Sequence, residues 1–140
     1  MPRSCLVDSG ALVALLDPRE AHHTWARETL PRQPRPWLTC ESVLSEALYL
    51  LRQPQAAALD QLLRQEHLQL ALDLAEELGA VLDLRAKYAS VPMSLADACL
   101  VRLTETLPDP IVVTTDSDFR IYRRHGRQVV PCLLPSGPST

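Results

Sequence analysis

Aromatic side chains are scarce in this chain: two Trp, three Tyr and one Phe among 140 residues. That scarcity disfavours a base-stacking platform of the kind RNA-recognition sheets present. A dominant charge of one sign is missing as well. Seventeen carboxylates against 14 basic residues leave a formal net charge of −3, whereas a constitutive DNA-binding domain carries a commanding basic face. No apolar run approaches the roughly 18 residues of a membrane span, and the opening MPRSCLVDSG does not read as a signal peptide. The expectation is a cytoplasmic protein with no membrane partner. Cys5, Cys40, Cys99 and Cys132 form no C-x-x-C pair and have no histidines at ligand spacing, so zinc is not indicated. Each thiol sits among apolar residues, as small buried cysteines of a reducing compartment do.

What is present is an ordinary globular composition, 46% hydrophobic and 22% charged. The length suits one domain that buries roughly two-thirds of its unfolded surface without staples. The expected division is a domain over 1–134 and a flexible tail over 135–140. Strands are expected at 5–7, 37–39, 67–72, 111–114 and 129–130. Between them the pattern predicts helices over 11–16, 18–30, 41–52, 55–65, 73–88 and 94–107, and a short one ending near Tyr122. The run Ile111-Val112-Val113-Thr114 is the clearest strand, being β-branched throughout. Strands alternating with helices imply an α/β architecture, a mostly parallel sheet covered on both faces.

Ligands of open α/β sheets bind outside the carboxyl ends of the strands. Asp8 closes the first strand and Asp116 follows the IVVT strand, so parallel neighbours would deliver both to one edge. Each has a simpler explanation, since an Asp after a strand often caps the next helix. Asp97 is equally two-sided. With Ser94 it completes an S-x-x-D capping box, yet the same geometry holds a carboxylate at a helix N-terminus near that edge. Glu46 lies beside an apolar stripe formed by Leu44, Ala47, Leu48 and Leu51, whereas Glu41 sits in the first turn, where the helix dipole accounts for it. Taken together the acids make a different object. Carboxylates converging at one edge repel, and a divalent cation relieves that repulsion. An all-oxygen donor set suits Mg²⁺ or Mn²⁺, and such centres activate water and offset charge on a phosphodiester.

These residues resemble a PIN domain, the nuclease fold of many toxins of bacterial toxin–antitoxin pairs, the VapC type. The resemblance runs from LVDSGALVALLD through LTCESVLSEALYLL and VPMSLADACLVRL to IVVTTDSDFRIYRRHG. It implies a three-layer α/β/α fold with a parallel five-stranded sheet in the order 3-2-1-4-5. It also implies that Asp8, Glu46, Asp97 and Asp116 form a catalytic centre for Mg²⁺ or Mn²⁺, with Asp118 assisting. Ser9 and Thr114 match positions of small hydroxyl residues that orient a carboxylate or a bound water. An RNA substrate, a cognate antitoxin protein and a homodimer are implied in the same way.

Residues 119–127 (FRIYRRHGR) carry +4, leaving −7 for the remainder of the chain. Two readings stand side by side: a solvated helix end whose arginines complement the dipole, or phosphate contacts made by Arg120, Arg123 and Arg124 beside the acids. The expected activity is metal-dependent endoribonuclease cleavage. The alternatives are a PIN-fold interaction module without catalysis and an RNA-processing nuclease that is not a toxin. A dehalogenase-like phosphatase would need D-x-D where the chain has Asp8-Ser9-Gly10. A receiver domain would need a lysine after a late strand, and the chain's one lysine, Lys87, falls in a helical segment. No phosphate-binding P-loop is present.

Overall fold

Two apolar runs, SCLV and PIVV, build the centre of the sheet, and the computed structural model describes residues 2–135. The strand β1 (Ser4–Val7) is buried along its whole length, as is β4 (Pro110–Val113), and the two pair in parallel with Leu6 beside Val112 and Val7 beside Val113. On the other flank of β1 lies β2 (Trp37–Thr39), followed outward by β3 (Leu68–Leu70). Strands buried on both faces read as continuous apolar runs, which is why SCLV and PIVV show no alternation.

Helices fill the crossovers from β1 to β4. The chain passes through α1 (Ser9–Leu16) and α2 (His23–Thr29) before β2, and through α3 (Glu41–Leu50) and α4 (Gln53–Arg64) before β3. It then runs through α5 (Leu74–Lys87) and α6 (Leu95–Thr106) to β4. Because the strand order reverses direction after β3, right-handed crossovers send α1–α4 to one face and α5–α6 to the other. Accordingly α1 packs on α2, α3 and α4, while α5 packs on α6 and α6 lies on β4. A further contact joins α3 to α6. The architecture is the expected α/β/α arrangement.

The fifth strand differs from expectation. It is not 129–130 but β7 (Cys132–Leu133), whose residues pair in parallel with Val112 and Val113 and complete the order β3-β2-β1-β4-β7. Residues at the expected position instead form a hairpin, in which β5 (Arg123–Arg124) pairs antiparallel with β6 (Gln128–Val129). Val129 is 63% exposed, whereas the carbonyl of Pro131 accepts from Val112 N at 2.9 Å. The sheet therefore engages the chain only after Val130. Residues 119–127 are thus a 3-10 turn and a hairpin, not a helix end. Beyond its first residue, the tail expected over 135–140 lies outside the described residues.

Two smaller departures concern helices. The second helix begins only at His23, because residues 18–22 form turns. On α3 the expected stripe of Leu44, Ala47, Leu48 and Leu51 holds in part: Ala47 and the following Leu51 are buried together with Val43, Leu44 is half-buried, and Leu48 is 43% exposed. The helix must satisfy α1 and α6 together, and that double contact rotates it toward Val43. Cys5, Cys40 and Cys99 are free and buried, and Cys132 is free and half-buried.

Candidate active site

Parallel pairing of β1 and β4 sets the first part of the site. Asp8 leaves β1 at the carboxyl edge, where its backbone N–H donates to Val113 O at 3.0 Å. One residue past β4, the buried Thr114 hydroxyl donates to Asp8 Oδ2 at 2.7 Å and accepts from Asp116 N at 2.9 Å. One side chain therefore ties the two strand-end acids to a common frame. Asp8 Oδ1 caps α1 by accepting from Ser9 N at 2.7 Å, and Asp116 Oδ1 caps the next turn by accepting from Asp118 N at 2.9 Å. The capping explanation is correct for both acids. It does not exhaust them.

Glu46 reaches the same edge from α3. Ser9, whose amide caps to Asp8, turns its hydroxyl to Glu46 Oε1 at 2.9 Å. Asp97 arrives from the first turn of α6, in the expected capping box: Asp97 N donates to Ser94 Oγ at 3.0 Å, and Ser94 N donates to Asp97 Oδ2 at 3.2 Å. Tyr122 adds its hydroxyl to Asp97 Oδ2 at 3.1 Å.

Electrostatics report the convergence. Burial pushes Asp8 up to about 6 despite the hydrogen bonds from Thr114 and Ser9, and the charges of Asp97 and Glu46 push it the same way. Asp97 is raised by burial, with the charge of Asp116 adding to it and the Ser94 and Tyr122 hydrogen bonds opposing. Repulsion thus runs from Glu46 to Asp8 to Asp97 to Asp116. The ion pairs among the described residues lie elsewhere, at Arg3–Asp109, Arg19–Asp17 and Arg102 with Glu77 and Glu105. None of the four acids has a basic partner there.

That imbalance fits a hard divalent cation in donor chemistry, since the side chains hydrogen-bonded within the cluster among the described residues are carboxylates and hydroxyls. The spacing is open: among the described residues no three Asp, Glu, His or Cys side chains are gathered into a ready cation cage. Asp118 sits half-buried on the turn after Asp116.

The three arginines divide. Arg120 is exposed, whereas Arg123 Nη1 donates to the carbonyls of Arg120, Ile121 and Tyr122 at 2.7, 3.2 and 3.0 Å. Arg124 donates through Nε to Thr104 O at 3.1 Å, also through Nη2 to that carbonyl, and through Nη1 to Gln128 Oε1. It closes the last turn of α6 against the hairpin. Arg124→Ala should therefore lower stability by about 1–3 kcal/mol, the range for hydrogen bonds to a charged group, as read by urea unfolding. Arg120→Ala, at an exposed side chain, should leave stability unchanged in the same assay.

Two participants have no obvious signature in the sequence. Tyr122 is fully buried, and only its spacing of three from Phe119, another scarce aromatic, hints at a shared face. Gly10 is the other. A Cβ at this position would overlap Thr115 Oγ1, so α1 approaches the loop after β4 closely only because Gly10 has no side chain. Helix propensity alone would favour Ala over Gly by about 0.5–1 kcal/mol. The overlap is larger, and Gly10→Ala should instead destabilise by about 1–3 kcal/mol. Adding Thr115→Ala should restore most of that loss, because the next atom, Thr115 Cβ, would be 3.6 Å away, an ordinary contact.

A doubly wound parallel sheet with acids gathered at its carboxyl edge is an α/β domain with a candidate divalent-cation site. The PIN domain model matches residues 5–124, and the chain belongs to the PIN domain family, whose members are nucleases and generally metal-dependent. No curated protein matches the chain. No helix is long and apolar enough to cross a membrane among the described residues.

Proposed function

We propose that this chain is an endoribonuclease dependent on Mg²⁺ or Mn²⁺, acting as the toxin of a toxin–antitoxin pair in a cytoplasmic, reducing setting. The observation that carries the reading is the set of mutually repelling acids, with Asp8 buried at the carboxyl edge and no ion pair to it among the described residues. Asp8, Asp97 and Asp116 would hold the cation, with Glu46 completing the set and Asp118 assisting. When bound, the cation supplies Lewis acidity and lowers the pKa of a coordinated water. The chain's own residues do the positioning. Thr114 locks Asp8 and Asp116 to each other, and Ser9 holds Glu46 beside Asp8. The exposed Arg120 offers a guanidinium fork to a phosphate, a geometry suited to bidentate contact.

The toxin assignment further calls for an inhibitory antitoxin and a second copy of the chain. Supporting this, Tyr49 and Leu50 project from α3 beside Glu46, Tyr49 with 89% of its surface exposed. Both border an open depression of about 390 Å³ lined by Ser45, Glu46, Tyr49 and Leu50. An apolar ridge of this kind beside acids is a surface a partner would cover.

The test is cleavage of a labelled single-stranded RNA and of the matching DNA with Mn²⁺, Mg²⁺ or excess EDTA. RNA cleavage that EDTA stops and either metal restores is the expected result. Undiminished cleavage in EDTA would overturn the mechanism. A folded chain that neither cuts RNA nor binds Mn²⁺ would be an interaction module.

A further inference from the structure

Tyr122 touches the acidic cluster without belonging to it. Its hydroxyl donates to Asp97 Oδ2 at 3.1 Å from a fully buried position. The ring is wedged edge-to-face against Tyr88, with centroids 5.2 Å apart, and against Phe119 at 5.3 Å. So held, the hydroxyl has one place to point. Ser94 N donates to the same oxygen at 3.2 Å. Both bonds therefore end on Oδ2, leaving Oδ1 as the oxygen free to serve a ligand.

The terminal torsion of Asp is soft, with broad, roughly two-fold preferences. One donor pins a carboxylate oxygen at a point and still lets the group turn about that contact. A second donor from another direction fixes its plane. Ser94 supplies the first from the helix's own N-terminus, and Tyr122 supplies the second from across the fold.

We propose that Tyr122 is a positioning residue for Asp97, fixing the carboxylate plane so that Oδ1 alone is offered to a divalent cation. The inference rests on the reading of Asp97 as a cation ligand. It assigns a purpose to the aromatic cluster as well. Tyr88 accepts from Arg123 N at 2.9 Å through its hydroxyl, so the residue after Tyr122 is seated by the same rings.

A purely structural role is the competing account, because a buried tyrosine hydroxyl needs some acceptor and Asp97 provides one. Tyr122→Phe keeps the ring and removes only the donor, which separates the two. Mn²⁺ binding to the full chain is measured by calorimetry and by the spectrum of the bound ion, alongside metal-free urea unfolding. Outer partners of metal ligands typically contribute about 10- to 100-fold in affinity. The expected result is a loss of Mn²⁺ affinity of about 10-fold or more, with an altered Mn²⁺ spectrum and a cooperative metal-free transition. Tyr88→Phe, which keeps its ring in the cluster and has no bond to Asp97, should bind Mn²⁺ within about twofold of wild type, well under the 10-fold loss expected of an outer partner. Wild-type affinity in folded Tyr122→Phe, with Asp97→Asn unable to bind, would overturn the inference and leave the metal reading standing. Wild type that binds no Mn²⁺, or Asp97→Asn that binds it normally, would remove the metal reading and this inference with it.

Discussion

Asp97→Asn should fold as the wild type does and lose RNA cleavage by about 10²- to 10³-fold or more. The geometry of the hydrogen bonds makes the substitution clean. Both bonds that Asp97 accepts end on Oδ2, from Ser94 N and from the Tyr122 hydroxyl. An Asn can place its amide oxygen there and keep both, so the capping box survives. The amide NH2 then occupies the place of Oδ1, a donor where a cation needs a lone pair. Stability should not suffer, because burial raises Asp97 and a neutral side chain avoids the cost of that buried charge. A bound cation offsets several kcal/mol of charge in a phosphodiester transition state, which at about 1.4 kcal/mol per factor of ten gives the stated loss. Glu41→Gln, at an exposed residue of the first turn of α3, is the matched control and should retain activity. Full cleavage by a folded Asp97→Asn variant would remove Asp97 from the centre.

Three of the acids were legible in the sequence because each stands at a junction that local pattern marks, whereas Glu46 lies in the middle of α3. Asp8 and Asp116 follow the two most apolar strands, and Asp97 follows a proline and a capping serine. What local pattern does not contain is phase and pairing. Val129-Val130 and Cys132-Leu133 are equally apolar couples on either side of Pro131, and only the register against β4 selects the second. On α3, Leu44–Leu48 and Val43–Ala47 are both stripes at helical spacing. Contact with α1 and α6 together buries the latter and leaves Leu48 exposed. The basic segment misled in the same way. Its arginines mark a charged stretch, but which of them is free depends on backbone carbonyls that the hairpin brings to Arg123 and Arg124. Tyr122 lies 25 residues from Asp97, so a role that exists only through space leaves no local trace.

Asp8 should make the metal-free protein less stable as pH rises, and the cation should reverse that. Burial holds Asp8 at about 6 in the folded chain against 3.8 for an ordinary Asp, with Asp97 and Glu46 facing it as like charges. A folded-state value above the unfolded one means that the native state binds the proton more tightly. Its contribution is complete below about pH 4 and is lost as pH climbs through 6. The difference amounts to about 3 kcal/mol at neutral pH. Asp8→Asn removes the titration, so the comparison isolates it from the other acids. In excess chelator, urea unfolding should show the Asn variant gaining on wild type by about 3 kcal/mol between pH 4 and pH 8. A penalty that does not vary with pH lies beneath that change and leaves it intact, because both Asp8 oxygens accept hydrogen bonds and an amide can accept at only one. Adding Mn²⁺ at pH 8 should then stabilise wild type alone, by about 2.7 kcal/mol at a hundred times its dissociation constant. A wild-type-to-Asn difference that stays flat from pH 4 to pH 8 would show that Asp8 carries no strained charge. Equal stabilisation of both proteins by Mn²⁺ would place the ion elsewhere.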